Sequence, residues 1–173
     1  KRPGEKPLLW FMNKTGGAKS TKVLAALTTW APFAIADFND DGVSDIIWKR
    51  PDNKHVLWFM SKTGTVTSTK VLTALTTWTL AYAGDFNGDG VSDIIWKRPD
   101  NKHVLWFMSK TGTVTSTKVL TALTTWTLAY AGDFNGDGVS DIIWKRPDNK
   151  HILWFMKKTG GAASTKVLAA LDT

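Results

Sequence analysis

The residues best placed to do chemistry stand in a nine-residue stretch, Asp37-Phe38-Asn39-Asp40-Asp41-Gly42-Val43-Ser44-Asp45, that returns at 85–93 and at 133–141. Side-chain oxygens at positions one, three and five, a glycine at six for a sharp turn, and a backbone carbonyl at seven are what wraps a hard cation. A further carboxylate stands at position nine. The candidate ligands are therefore Asp37, Asn39, Asp41, Val43 and Asp45, then Asp85, Asn87, Asp89, Val91 and Asp93, then Asp133, Asn135, Asp137, Val139 and Asp141. An all-oxygen set without His or Cys favours Ca²⁺ over zinc, and the ligand number suits calcium better than magnesium. An EF-hand needs a bidentate glutamate at position twelve, where this chain has Trp48, Trp96 and Trp144. The plain alternative, a hairpin turn decorated with aspartates, leaves three crowded carboxylates without an offsetting charge. The expected metal role is structural, since no candidate general base recurs beside the loop.

The elements that must position these loops repeat with a 48-residue period: Trp48, Trp96 and Trp144, like His55, His103 and His151, are spaced by it. A fixed period of this size means one supersecondary unit that buries its apolar face by stacking on copies of itself. In the copy with the second loop, the spacing predicts four strands, at 80–86, 93–98, 103–110 and 117–123, separated by Gly, Pro, Asn and Asp turn chemistry. No segment keeps a 3.6-residue period for three turns, which disfavours helix. The second and third strands are apolar on both faces (Ile94 and Ile95; Val104 to Met108) and require cover on both sides. Four-stranded sheets that cover one another face to face make an all-β fold, a β-propeller with about three and a half blades per chain. The expected units are a partial blade at 1–31, holding strands at 8–13 and 21–27, and blades at 32–79, 80–127 and 128–173. An open propeller exposes sheet faces and edges. The ring is therefore expected to close through residues upstream or through self-association, with two chains giving six whole blades and two halves.

The segment GDFNGDGVSDIIW at 84–96 resembles the FG-GAP/VCBS repeat of calcium-binding β-propellers, a family related to integrin α-subunit propellers and to fungal and bacterial propeller lectins. The resemblance implies calcium at the three ligand sets named above. It identifies a fold and a metal more closely than a ligand, because such propellers serve as lectins, adhesion domains and enzyme appendages.

Charge narrows the partners. Lys and Arg number 22 against 15 acidic residues, nine of them the aspartates at positions one, five and nine of the loops. With the loops neutralised by cations, the outer surface is more basic than the formal +7, which favours anionic partners. No apolar run approaches the roughly 20 residues needed to span a bilayer. Cysteine is absent, so disulfides are not the staple.

Ten tryptophans fall into three families. Trp48, Trp96 and Trp144, and Trp10, Trp58, Trp106 and Trp154, belong to strands and are expected between blades. Trp30, Trp78 and Trp126 lie in the links between blades and are the better platforms for a sugar ring. The topology gathers these links with the turns holding Arg50, Asn53 and His55, Arg98, Asn101 and His103, and Arg146, Asn149 and His151, which form a candidate ligand face. The histidines, at the start of a strand, are expected to be solvated.

The resulting expectation is a secreted or cell-surface, calcium-stabilised binding module. Carbohydrate is the first candidate ligand, through identical weak sites that act by avidity. A protein-interaction or adhesion propeller using a basic face on an anionic partner is the alternative, as is a duplicated or designed scaffold without a specific ligand. An enzyme is disfavoured, because near-perfect repetition leaves no unique set of residues in asymmetric roles. Nucleic acid is disfavoured for want of a recognised module.

Overall fold

The computed structural model describes residues 6–24, 29–52, 54–72, 77–120 and 125–168. Among them all regular structure is β: β1 (Leu8–Met12), β2 (Ala18–Val23), β3 (Ala31–Ala36), β4 (Asp45–Lys49), β5 (His55–Met60), β6 (Val66–Leu72), β7 (Thr79–Gly84), β8 (Asp93–Lys97), β9 (His103–Met108), β10 (Val114–Leu120), β11 (Thr127–Gly132), β12 (Asp141–Lys145), β13 (His151–Met156) and β14 (Ala162–Leu168). Short links leave antiparallel meanders as the accessible topology. The strands form one two-stranded sheet, β1–β2, and three four-stranded sheets in chain order, β3–β6, β7–β10 and β11–β14. These are propeller-type blades repeating about every 48 residues, as the period predicts.

The ends of the strands depart from the sequence reading for local reasons. The fourth strand of the middle blade begins at Val114, three residues earlier than expected. The turn before it is tight: the Gly112 N–H donates to the Ser109 carbonyl at 2.8 Å, and the Ser109 N–H to the Thr113 carbonyl at 2.8 Å. The Thr/Ser-rich stretch therefore pairs as strand, with a bulge between Val114 and Ser116; the expected end at 121–123 lies outside the described residues. The first strand stops at Gly84 instead of Phe86, because the Phe86 N–H turns to the Asp93 carboxylate. In the opening sheet β2 likewise begins at Ala18, ahead of the expected Thr21.

The first strands are innermost, with β3 against β7 and β7 against β11. Each blade then has a leading face that meets the next blade. Phe38, Ile47, Leu57, Phe59 and Leu72 of one blade pack on Val91, Ile94, Trp96, Val104, Trp106 and Met108 of the following one. The same arrangement recurs one blade later, from Phe86, Ile95, Leu105, Phe107 and Leu120 onto Val139, Ile142, Trp144 and Met156. Strands β5 and β9 are buried along their whole length. At about 2 to 3 kcal/mol for each fully buried large side chain, this sandwiching is the main source of stability.

Candidate metal loops and the tryptophan–arginine face

The register puts the two kinds of connection at opposite ends of each blade. The pairs Gly84↔Asp93 and Met108↔Val114 mark one end, with the loops; Thr79↔Lys97 and Lys97↔His103 mark the other.

At the loop end, aspartates at position one organise the chain around themselves. Asp85 Oδ1 accepts the N–H groups of Asn87 at 3.2 Å, Gly88 at 2.6 Å and Asp89 at 3.3 Å, and Oδ2 accepts that of Gly90 at 2.8 Å. Asp89 Oδ1 accepts from the Val91 N–H at 2.8 Å, and Asn87 Oδ1 from the Asp89 N–H at 2.9 Å. The curl needs left-handed backbone at Gly88 and Gly90 (φ 72° and 87°). Asp37 and Asp133 collect the corresponding Gly42 and Gly138 N–H groups at 2.8 and 2.9 Å. These donated hydrogen bonds, led by that of Gly138, hold Asp133 below the usual carboxylate range.

The position-nine aspartates behave differently. Asp45, Asp93 and Asp141 are wholly buried. Asp93 Oδ2 accepts the Phe86 N–H at 3.0 Å and Oδ1 the Met108 N–H at 2.8 Å, tying the loop's start to the third strand. Asp45 does the same with Phe38 and Met60, and Asp141 with Phe134 and Met156. Burial pushes all three carboxyls up, against those hydrogen bonds and with help from the loop's other aspartates; Asp93 reaches about 7. Among the described residues no three His, Cys, Asp or Glu side chains stand together as a metal-holding group. Part of the donor set nevertheless fits a hard cation: Asp85 Oδ2, Asp89 Oδ1 and both Asp93 oxygens each accept one N–H and keep a further lone pair, whereas Asp85 Oδ1 already accepts three. A divalent ion would also offset the repulsion from Asp89 and Asp85 that adds to burial in raising Asp93.

Asp40 is a loop residue to which the sequence reading gave no role. It stands at φ 59°, where the other two loops have glycine. Its carboxylate accepts from Lys110 Nζ of the following blade at 2.7 Å, a cross-blade pair that spacing within one repeat does not reveal.

At the opposite end the link tryptophans are half-buried and carry a guanidinium over one ring face. Arg50 lies 5.4 Å from the Trp30 centroid, Arg98 5.6 Å from Trp78 and Arg146 5.6 Å from Trp126. Each arginine also pairs with an aspartate, Arg50 with Asp52, Arg98 with Asp100 and Arg146 with Asp148, at 3.1 to 3.2 Å. The expected platforms are thus composite surfaces of arginine, indole and carboxylate. Asn101 and Asn149 stand at φ 62° and 63°, so their type serves the left-handed turn position; Asn53 lies outside the described residues.

Two members of the expected ligand face are elsewhere. His55 and His103 are buried between blades rather than solvated. His55 packs 4.8 Å from the Phe33 ring and 4.9 Å edge-on to Trp96, and His103 stands 4.9 Å edge-on to Trp144. Neighbouring blades cover both faces of β5 and β9, so the first residue of each strand is buried whichever way it points, and a lone polar letter at a strand's start does not announce that. Burial, with Lys49 or Lys97 nearby, pushes both imidazoles down to about 4. His151, on the last blade, is half-buried. Of the strand tryptophans, Trp48, Trp96, Trp144, Trp58 and Trp106 are core, as expected, whereas Trp10 is exposed.

No curated protein matches the chain significantly. No helix among the described residues is long and apolar enough to cross a membrane. Residues 37–96, which run from the first loop through the following blade's second strand, match the family model described as the FG-GAP-like repeat.

Proposed function

We propose that the chain is a calcium-stabilised binding module of the propeller type, secreted or displayed at a cell surface, that offers repeated carbohydrate sites. The observation that carries this reading is the recurrence, at one end of each four-stranded blade, of an indole half covered by an arginine that is itself pinned by an aspartate. A partly exposed indole accepts the C–H face of a sugar, and a guanidinium and a carboxylate side by side donate to and accept from its hydroxyls. Copies of one weak site acting together gain affinity by avidity. Calcium at Asp37, Asn39, Asp41, Val43 and Asp45 and at the two equivalent sets would neutralise the loops and hold the blade geometry. A bound cation supplies rigidity and charge here; loops that repeat one ligand set offer no asymmetric acid and base, so catalysis is not part of the proposal.

A second reading has its own support. The outermost strands expose Lys70, Lys118 and Lys166 in Thr/Ser-rich surroundings, a basic rim suited to an anionic partner. A glycan array run with calcium and with chelator separates the two. Discrete sugar preferences that vanish in Trp78→Ala and Trp126→Ala variants support the carbohydrate reading. Binding that follows negative charge alone, fades with salt and ignores those substitutions overturns it in favour of the rim.

A further inference from the structure

The interface between blades occurs repeatedly inside the chain, and each of its halves appears once more, uncovered, at an end of the stack. Within the chain, Leu9 and Phe11 reach Gly64, Leu57 and Phe59 reach Gly112, and Leu105 and Phe107 reach Gly160; a Cβ on any of these glycines would stand 2.8 to 3.2 Å from those side chains. At the front end the equivalent Gly16 has the same left-handed backbone (φ 83°) and nothing within 4 Å. Beside it Leu8, Trp10 and Met12 are 48, 60 and 54% exposed, although their counterparts Val56, Trp58 and Met60 are 5, 8 and 2% exposed. At the rear, Phe134 is 48% exposed where Phe38 and Phe86 are sealed. Phe155 and Leu168 are half-buried there, although Leu72 and Leu120, the counterparts of Leu168, are buried.

We propose that these two ends are the halves of one interface, and that the chain pairs head to tail with a second copy, the last blade of each seated on the β1–β2 hairpin of the other. The occupant follows from continuity with the interface already formed. The hairpin presents the side chains and the glycine turn that the leading face of every earlier blade meets. Polar contacts extend the match: Lys22 Nζ donates to the Thr63 carbonyl at 3.3 Å across the first interface, and Lys166 and Thr15 hold the same places at the rear and the front. The hairpin covers the outer part of the rear face, around Phe155 and Leu168, while Phe134 and Ile143 lie toward the inner strands. Head-to-tail contacts close into a ring or run on as a filament. Among the described residues this 173-residue stretch forms four sheets, so two copies of it make a ring of about eight, the upper end of the usual range for propellers, and three would exceed it. Closing one copy on itself would cover Trp10 and Phe134, which stand exposed.

The test is the mass of the 173-residue protein in solution by sedimentation and native mass spectrometry, for the wild type, Trp10→Glu and Gly16→Asn. Trp10 is exposed, so its substitution leaves the chain's own core intact, which circular dichroism checks. If that variant misfolds, Gly16→Asn carries the test, because asparagine tolerates the backbone and only a docked partner would meet its side chain. A wild-type dimer whose dissociation constant rises about thirtyfold or more in a folded variant, the size of a lost interface anchor, supports the proposal. A monomeric wild type, or a dimer that neither variant weakens, overturns it and assigns both faces to another occupant; an open-ended series of larger species overturns the closed pair.

Discussion

The same residue type does two jobs within nine positions, and substitution separates them. Asp93 is buried with both oxygens accepting backbone N–H groups, whereas Asp89 is exposed at the loop's tip. Asp93→Asn replaces one acceptor by a donor facing an N–H. It is expected to destabilise by about 2 to 3 kcal/mol in urea melts with or without calcium. Asp89→Asn is expected to leave the chelated protein within about 0.5 kcal/mol of wild type and to weaken the calcium response. The interblade histidines give a pH signature. With folded values near 4 against 6.5 unfolded, His55 and His103 favour the native state fully above pH 6.5. That contribution is lost as pH falls toward 4, because the unfolded chain takes up the protons first. The effect is on the order of 3 kcal/mol per histidine. Asp93 works the other way: with its folded value raised to about 7 against 3.8 unfolded, it carries a cost that accumulates as pH rises from 3.8 and is complete above 7, unless a cation sits beside it. His55→Phe isolates the first effect, and its stability advantage over wild type is expected to grow between pH 7.5 and pH 5 in paired urea melts.

At the scale of elements, the turns between third and fourth strands are places where neighbouring blades meet without room for a side chain. Gly112 combines a left-handed backbone with Leu57 and Phe59 at 3.1 and 3.2 Å from where a Cβ would stand; Gly138 has a similar backbone (φ 81°) and open space around it. Gly138→Ala is expected to cost about 1 kcal/mol, the backbone penalty alone. Gly112→Ala adds overpacking to that and is expected to cost about 2 to 4 kcal/mol, read as a larger fall in the urea midpoint. Loop and neighbour are also linked by backbone: the Ser92 N–H donates to the Asp37 carbonyl at 2.8 Å and the Ser140 N–H to that of Asp85 at 2.6 Å. Ordering one loop therefore steadies the next blade.

For the whole molecule, a stack held by nearest-neighbour interfaces gains or loses stability blade by blade. Chelation is expected to lower the thermal midpoint, and calorimetric titration of the stripped protein to show one calcium per loop. A protein that takes up no calcium and melts alike in EDTA would remove the metal from the proposed function while leaving the blades in place.

Much of this architecture is legible in the letters alone, because period, turn chemistry and two-sided apolar strands are local properties. Repetition fixed the number and order of strands, and the loops follow from Asp, Asn and Gly at set offsets. Contacts between repeats are not local, and the tertiary structure decided them. The burial of His55, the Asp40–Lys110 pair and the arginine on each link tryptophan depend on how blades or their ends come together. The contrast between Trp10 and Trp58 shows why: one sequence context gives an exposed or a buried indole according to whether a neighbouring sheet is present, and no residue encodes its neighbour's presence by itself.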